Sequence, residues 1–267
     1  MSIKLFVTDL DGTLLNSDRM ISQRNLDALA KAKAKGVHVT VATGRMYVSG
    51  AHFARQFFAD APVIACNGGI ALALDSNTPV LMETFPEDLM QDFLRYAYAR
   101  NWYIQWYIGT QIYAKEYRDH FFRAYKTTPD FHLNEVGDDY MPHTKGVIQC
   151  VVRDLDGGIP NIIEEIRGIY GDRIKPQQLT GYTIDLTPPQ VSKAVACAVL
   201  ADYYGITPDE IMACGDRDND IEMLKYAGTA VVPENGSEEA KAAATYIAPS
   251  NDEDGIAKAI EDLILYA

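Results

Sequence analysis

The sequence predicts an α/β fold: a Rossmann-like parallel-sheet core interrupted by an inserted α+β domain. Three observations carry that prediction. Short apolar runs alternate with helical stretches in both outer segments of the chain, as parallel strands joined by helical crossovers require. From about Glu83 to Thr187 the pattern changes to neighbouring strands close enough in sequence for antiparallel pairing. The strands of the outer segments end again and again in polar or glycine residues, where an open parallel sheet carries its site. The expected boundaries are 1–82 and 188–267 for the core and 83–187 for the insert, with linkers near Pro86 and Pro188-Pro189 as hinges. At 267 residues the chain can form one large or two modest domains.

Ile3–Thr8 is a short, nearly continuous apolar run, as in a strand buried on both faces. Ser22 suits an N-cap for the helix QRNLDALAKAKAK, which Gly36 stops. VHVTVA at 37–42 is the second strand; a helix through His52–Phe58 leads to Pro62 and a third strand, VIAC. In the insert, a helix over Glu87–Arg100 precedes WYIQWYIG and TQIYAKE, which read as a hairpin about Gly109. A helical stretch EYRDHFFRAYK, a strand GVIQCVVRD, a helix NIIEEIRGIYG and the segment GYTIDLTP follow. Alternation in Asn101–Gly109 puts Trp102, Ile104, Trp106 and Ile108 on one face, against helices of the insert. Tyr103, Gln105 and Tyr107 fall on the other, which is either solvated or meets a polar substrate such as a sugar. After Pro188, Lys193–Tyr204 is a helix with Val195, Val199, Leu200 and Tyr203 as its apolar face, ended by Gly205. Thr207-Pro208-Asp209-Glu210 matches a capping box. The strand IMACGD, a helix, the strand TAVVP, a helix SEEAKAAA, the strand YIA and a last helix complete the chain.

Net charge is −13, from 24 basic and 37 acidic residues, which argues against nucleic acid and anionic membranes as partners. No run of 18 apolar residues occurs, so no membrane span is expected, and the first apolar run is too short for a secretory signal. A cytoplasmic protein is the expectation, a monomer or small homo-oligomer. Cys66, Cys150, Cys197 and Cys214 form no C-x-x-C pair and read as reduced core thiols. The five histidines are scattered without metal-ligand spacing.

The chemistry-bearing residues gather where the strands end. Asp9 and Asp11 stand at i and i+2, on one face of the first strand, and Gly12 allows a sharp turn after them. Two adjacent carboxylates repel one another, and desolvation adds to the cost; a divalent cation offsets both. In Gly215-Asp216-Arg217-Asp218-Asn219-Asp220, three acids and an amide suit a hard, oxygen-seeking cation such as Mg²⁺, with Asp216 at the strand end the better ligand and Asp218 a helix-dipole acid. Thr43-Gly44-Arg45, between strand and helix, is an anion cradle of one hydroxyl and backbone N–H groups. Lys193 opens a helix, where its charge opposes the dipole; it is either exposed or placed beside an anion. Asn67, Gly68 and Gly69 follow the third strand. A carboxylate pair, a cradle, a lysine and a distal acid form a set for phosphoryl transfer from a small phosphorylated substrate.

DLDGT at 9–13, ATGR at 42–45, Lys193 and GDRDND at 215–220 resemble, in order, the four motifs of the haloacid dehalogenase-like hydrolases. The long insert between the second and third motifs and the CNGG turn are similar to the Cof-type sugar-phosphatase branch. The resemblance implies Asp9 as nucleophile and Mg²⁺ ligand, Asp11 as general acid/base with its backbone carbonyl on the metal, and Asp216 as the remaining protein ligand. It implies that Thr43, Gly44, Lys193, Asn219 and the backbone N–H of Leu10 hold the phosphoryl group. Asp220 would support the metal shell, and Asn67, Gly68 and Gly69 would line the entrance beneath a closing cap domain. Arg45, within the cradle, joins the phosphate-binding candidates. VPENG at 232–236 replaces the MGNA-like segment of such proteins, whereas SNDEDG at 250–255 fits them; Arg217 is expected to face solvent. Two further readings stay open from the sequence: a phosphosugar mutase using the same aspartyl phosphate, and an aspartate-phosphorylated signalling domain, which the large insert disfavours.

Overall fold

In the computed structural model, which describes residues 2–122, 128, 131–154 and 158–266, the chain separates into two compact units. One is Met1–Leu81 with Ser192–Ala267, the other Met82–Val191.

The first unit begins with β1 (Leu5–Thr8), every residue of it buried. The helix α1 (Gln23–Ala34) starts where the Ser22 hydroxyl accepts from the Asn25 N–H, a cap worth about 1 kcal/mol. Next come β2 (His38–Val41) and α2 (Tyr47–Gln56). The helix expected at His52–Phe58 thus begins five residues earlier, directly after the Thr43-Gly44-Arg45 turn, because Tyr47, Gly50, Ala51 and Ala54 bury its inner face. It stops short of Phe58, whose φ of +53° is left-handed. β3 (Val63–Ala65), β4 (Ile70–Leu72) and β5 (Pro79–Met82) form a small sheet. The last two carry too few residues for a readable period.

The second unit holds α3 (Glu87–Ala99), β6 (Tyr103–Ile108), β7 (Gln111–Ala114), α4 (Asp119–Phe122), β8 (Leu133–Glu135), β9 (Val147–Arg153), α5 (Ile159–Tyr170), β10 (Lys175–Thr180) and β11 (Thr183–Thr187). Only the Asp119–Phe122 part of the helix expected over Glu116–Lys126 is seen, and residues 123–126 lie outside the described residues. The strands run in the order β10-β11-β9-β6-β7-β8, antiparallel except for the β7–β8 pair. Ile104, Trp106, Val152, Ile184 and Leu186 pack on Phe93, Leu94, Ile162 and Ile166 of the two long helices. The other face of β6 is not solvated: Tyr103, Gln105 and Tyr107 are all buried.

The chain then returns to the first unit with α6 (Lys193–Tyr204), β12 (Ile211–Cys214), α7 (Ile221–Tyr226), β13 (Thr229–Pro233), α8 (Glu238–Lys241), β14 (Tyr246–Ala248) and α9 (Gly255–Ile260). Five parallel strands in the order β14-β13-β12-β1-β2 make its main sheet. The apolar face expected on α6 is corrected: Val195 and Tyr203 are exposed, while Ala196, Cys197, Leu200 and Ala201 face the core. Lys193 is buried and sets that rotation. The Thr207 capping box forms on a single turn, and all four cysteines are buried thiols. Among the described residues no helix is long and apolar enough to cross a membrane. With β1 central and flanked by β2 and β12, three strand tips bring their loops to one end of the sheet.

Candidate active site

The tip of β1 is fixed from both sides. The Asp9 N–H donates to the Cys214 carbonyl at 2.9 Å, and the Thr8 hydroxyl donates to the Asp9 carbonyl at 2.8 Å. The chain turns at Gly12, φ +80°, where any Cβ would come within 2.5 Å of Asp216 Oδ2; only glycine meets both demands. At the tip of β12, a Cβ on Gly215 would meet the Asp220 Cβ at 2.4 Å. These close approaches draw the acids together: Asp9, Asp216 and Asp220 each offer an oxygen within 4.8 Å of the others, and all three are buried.

Lys193 stands among them. Its Nζ donates to Asp9 Oδ1 at 2.6 Å and to Asp220 Oδ1 at 2.7 Å, with the side chain shut off from solvent. The other oxygen of Asp220 accepts from the Asp216 and Arg217 N–H groups, each at 3.1 Å. Asp216 Oδ1 accepts from the Thr13 hydroxyl at 2.9 Å. Burial, then the charges of Asp220, Asp216 and Asp11, push the Asp9 carboxyl well above its ordinary range, against the pull of Lys193. Burial and Asp220 raise Asp216 to about 6. Desolvation works against the Lys193 charge, yet Asp220 and Asp9 hold its pKa above the usual value.

This donor set fits a hard divalent cation. Three carboxylates surround one buried ammonium, with the largely exposed Arg217 Nε 3.4 Å from Asp216, so negative charge is in excess if all ionise, in a buried site made of oxygens. Mg²⁺ takes such ligands, and the raised Asp216 marks what its charge would relieve.

The remaining residues form two further groups. Asp11 turns its half-exposed carboxylate away from the three acids and onto Arg45, whose Nε and Nη2 lie 2.6 and 2.5 Å from its two oxygens. Desolvation raises the Asp11 pKa, but this fork more than offsets it and leaves the group lowered. Arg45 also donates to Ser49 at 3.2 Å and lies over the Phe53 ring. In the other group, Thr43 accepts from the Arg45 N–H at 3.1 Å, its carbonyl accepts from the Asn67 N–H at 3.0 Å, and Asn219 donates to Asn67 Oδ1 at 3.2 Å. Gly44 packs on that amide; a Cβ there would be 2.9 Å from Asn67 Oδ1. Gly68, φ +100°, lies so close to the Ser192 carbonyl that a Cβ would stand 2.2 Å from it. The CNGG turn therefore sits against the residue that caps α6 and precedes Lys193. Gly69 closes the turn through its N–H to the Cys66 carbonyl, and Leu10 is buried with its carbonyl accepting from Thr13 and Leu15. Arg217 is mostly in solvent.

Three contributors escape sequence reasoning. Thr13 holds Asp216. Asn235, within VPENG, donates to the Gly12 carbonyl at 2.7 Å and accepts from the Asn251 N–H at 2.9 Å. Asn251, within SNDEDG, donates to the Leu15 carbonyl at 2.8 Å. The asparagines brace the Asp11-Gly12 turn, so the unusual segment keeps a structural role. Thr13 lies inside DLDGT and could have been found there; the asparagines carry no local signal.

Buried acids at the tips of a parallel sheet, with a lysine from the start of α6 among them, make the kind of site that hydrolases of the phosphoryl-transfer class use. The model of the haloacid dehalogenase-like hydrolases matches residues 6–260, and the chain belongs to that family. A 5-amino-6-(5-phospho-D-ribitylamino)uracil phosphatase of Bacillus subtilis is 30% identical over 272 residues, covering 99% of this chain and 97% of the relative. A phosphoglycolate phosphatase of Methanopyrus kandleri is 26% identical, with 97% of each chain covered. Among solved structures, a haloacid dehalogenase-like hydrolase from Bacteroides thetaiotaomicron superposes with a TM-score of 0.90 at 28% identity, over 98% of this chain and all of that one. The chain is a phosphatase-type hydrolase.

Proposed function

We propose that this chain is a Mg²⁺-dependent phosphatase that hydrolyses small phosphorylated metabolites, sugar or polyol phosphates foremost, through an aspartyl phosphate on Asp9. The observation that carries this reading is the buried Asp9–Lys193–Asp220 pairing beside Asp216. Names among the relatives, such as the ribitylaminouracil phosphatase, support a phosphorylated carbon chain as the substrate class.

In the proposed sequence the Asp9 carboxylate attacks phosphorus. The new O–P bond forms as the bond to the substrate alcohol breaks, and Asp11 delivers a proton to the departing oxygen. Asp11 then takes a proton from water, whose oxygen attacks phosphorus and frees Asp9 with inorganic phosphate. Lys193 and Asn219, with Thr43, Gly44 and the Leu10 N–H, would hold the phosphoryl oxygens. Asp9 and Asp216, Asp220 beside them and the Asp11 carbonyl would hold Mg²⁺, whose charge offsets the repulsion between carboxylate and phosphoryl group. A proton on Asp9 would abolish its nucleophilicity. Burial and the neighbouring acids raise the Asp9 pKa, and the charge of a bound cation would pull it back down and favour the ionised nucleophile.

p-Nitrophenyl phosphate tests the reading. Turnover is expected with Mg²⁺, near-complete loss with EDTA, and a fall of at least about 1,000-fold in Asp9→Asn, which keeps the shape but removes charge and nucleophilicity. Full activity of Asp9→Asn would remove the nucleophile assignment.

A further inference from the structure

The first unit exposes aromatic surface that its own fold does not account for. At the end of α2 the Phe58 N–H donates to the Arg55 carbonyl at 3.2 Å and the Ala59 N–H to the Ala54 carbonyl at 3.0 Å. This closing turn holds Phe58 left-handed, φ +53°, at the position where helices ordinarily carry glycine. A side chain there costs about 1–2 kcal/mol. Burial returns little of it, because Phe58 is 75% exposed. Tyr203, near the end of α6, is 64% exposed.

Both rings border one cleft of about 650 Å³, with Tyr204, Lys33 and Arg55 beside them, a volume that suits a small organic molecule. All of its lining belongs to the first unit. The cleft lies by the C-terminal ends of α1, α2 and α6 and by Pro62, just before β3. The buried acids follow the C-terminal ends of β1 and β12, so cleft and acids stand at opposite ends of the sheet. Tyr204 is fixed: its ring stacks on His38 with centroids 4.2 Å apart, and its hydroxyl donates to the Asp60 carbonyl at 3.3 Å. The Lys33 ammonium is held by the Phe58 carbonyl, a neutral partner that leaves its charge standing. The Asp60 carboxylate is engaged by the His38 ring at 2.8 Å and the Val39 N–H at 3.0 Å. Asp75, exposed, is the other acid along the cleft.

We infer that this cleft is a second binding site, separate from the strand-tip acids, for a small molecule that joins a planar aromatic ring to one anionic group. The ring lies against Phe58 and Tyr203, where aromatic contact adds about 0.5–1.5 kcal/mol per pair to the burial of apolar surface. The anion meets Lys33 and Arg55 through charge-assisted hydrogen bonds, and Asp75 repels a second acidic group. A bound ring also covers the phenyl group that the left-handed turn holds in water. A purine nucleotide and an aromatic carboxylate share this chemistry.

Calorimetric titration of the full chain in EDTA tests the inference, with AMP, indole-3-acetate, adenosine and inorganic phosphate as probes. AMP bound at least about tenfold more tightly than adenosine or phosphate marks a nucleotide; saturation by indole-3-acetate alone marks an aromatic carboxylate. Phe58→Gly, Tyr203→Ala and Arg55→Gln should each weaken the bound probe by about tenfold and keep kcat/KM for p-nitrophenyl phosphate within about twofold. Phe58→Gly should also hold or raise the melting temperature, because glycine suits the left-handed position. Arg55→Gln, an exposed change, reads binding if an aromatic variant does not fold. Four results would each overturn the inference: no saturable binding of AMP or indole-3-acetate, affinity unchanged in the variants, binding and p-nitrophenyl phosphate turnover falling together, or a lowered melting temperature in Phe58→Gly.

Discussion

Arg45 is the residue whose placement adds most to its sequence reading. Its guanidinium holds both oxygens of Asp11 instead of an open anion cradle. A carboxylate held this way is a weak proton donor at neutral pH, because its pKa is lowered once the fork outweighs desolvation. Acid catalysis by Asp11 therefore requires the fork to loosen or the proton to arrive with substrate. In Arg45→Gln the Asp11 pKa should rise, so the protonated form persists to higher pH and the alkaline limb of the kcat profile moves upward. An unmoved alkaline limb, measured with p-nitrophenyl phosphate between pH 5 and 9, would separate Arg45 from the acid step.

At the scale of elements, the site depends on turns that tolerate few side chains. The CNGG turn places Cys66 and Asn67 at φ +53° and +56°, conformations costly for residues with a Cβ. Its Gly68 abuts the carbonyl of Ser192, the residue that caps α6 by accepting from the Val195 N–H. Gly68→Ala would force backbone against backbone and push the start of α6, Lys193 with it. About 2–4 kcal/mol of destabilisation and at least a tenfold loss of turnover are expected, read by chemical denaturation and phosphate release. Normal kinetics in a folded Gly68→Ala protein would show that Lys193 is placed by α6 alone.

For the whole molecule, the buried acids tie stability to pH and to metal. Asp216 has an ordinary pKa of 3.8 and a folded value of about 6. Its contribution is therefore fully present below pH 3.8 and lost as pH rises through about 6. That difference corresponds to about 3 kcal/mol at neutral pH, the upper bound for a group in a coupled cluster. Asp9 acts in the same direction. Other acids, such as Asp11 and Glu210, have lowered values and act oppositely, so the clean measurement is a difference. In EDTA, Asp216→Asn should be more stable than wild type at pH 7 and equal to it at pH 4. Saturating Mg²⁺ should reverse the order at pH 7 by stabilising wild type alone. Urea denaturation at the two pH values decides; a less stable Asp216→Asn in EDTA at pH 7 would contradict the burial argument.

Much of this protein was legible in its residues. DLDGT, ATGR and GDRDND lie at strand ends, and the alternation around them gives parallel strands with few alternatives; hence the α/β class, the family and the placement of Asp9 and Asp216 at strand tips follow from local pattern. The capping residues Ser22 and Thr207 were equally readable, because a cap is chemistry within four residues. Long-range packing decided the rest. The face of α6 turned because Lys193 finds its partners 184 and 27 residues away, at Asp9 and Asp220. Arg45 found Asp11 34 residues away, and Asn235 found the Gly12 carbonyl 223 residues away. The tyrosine and glutamine face of β6 was readable as a face but not as a buried one. Periodicity reports which side chains point together; only the folded chain decides what closes over them and which charges they meet.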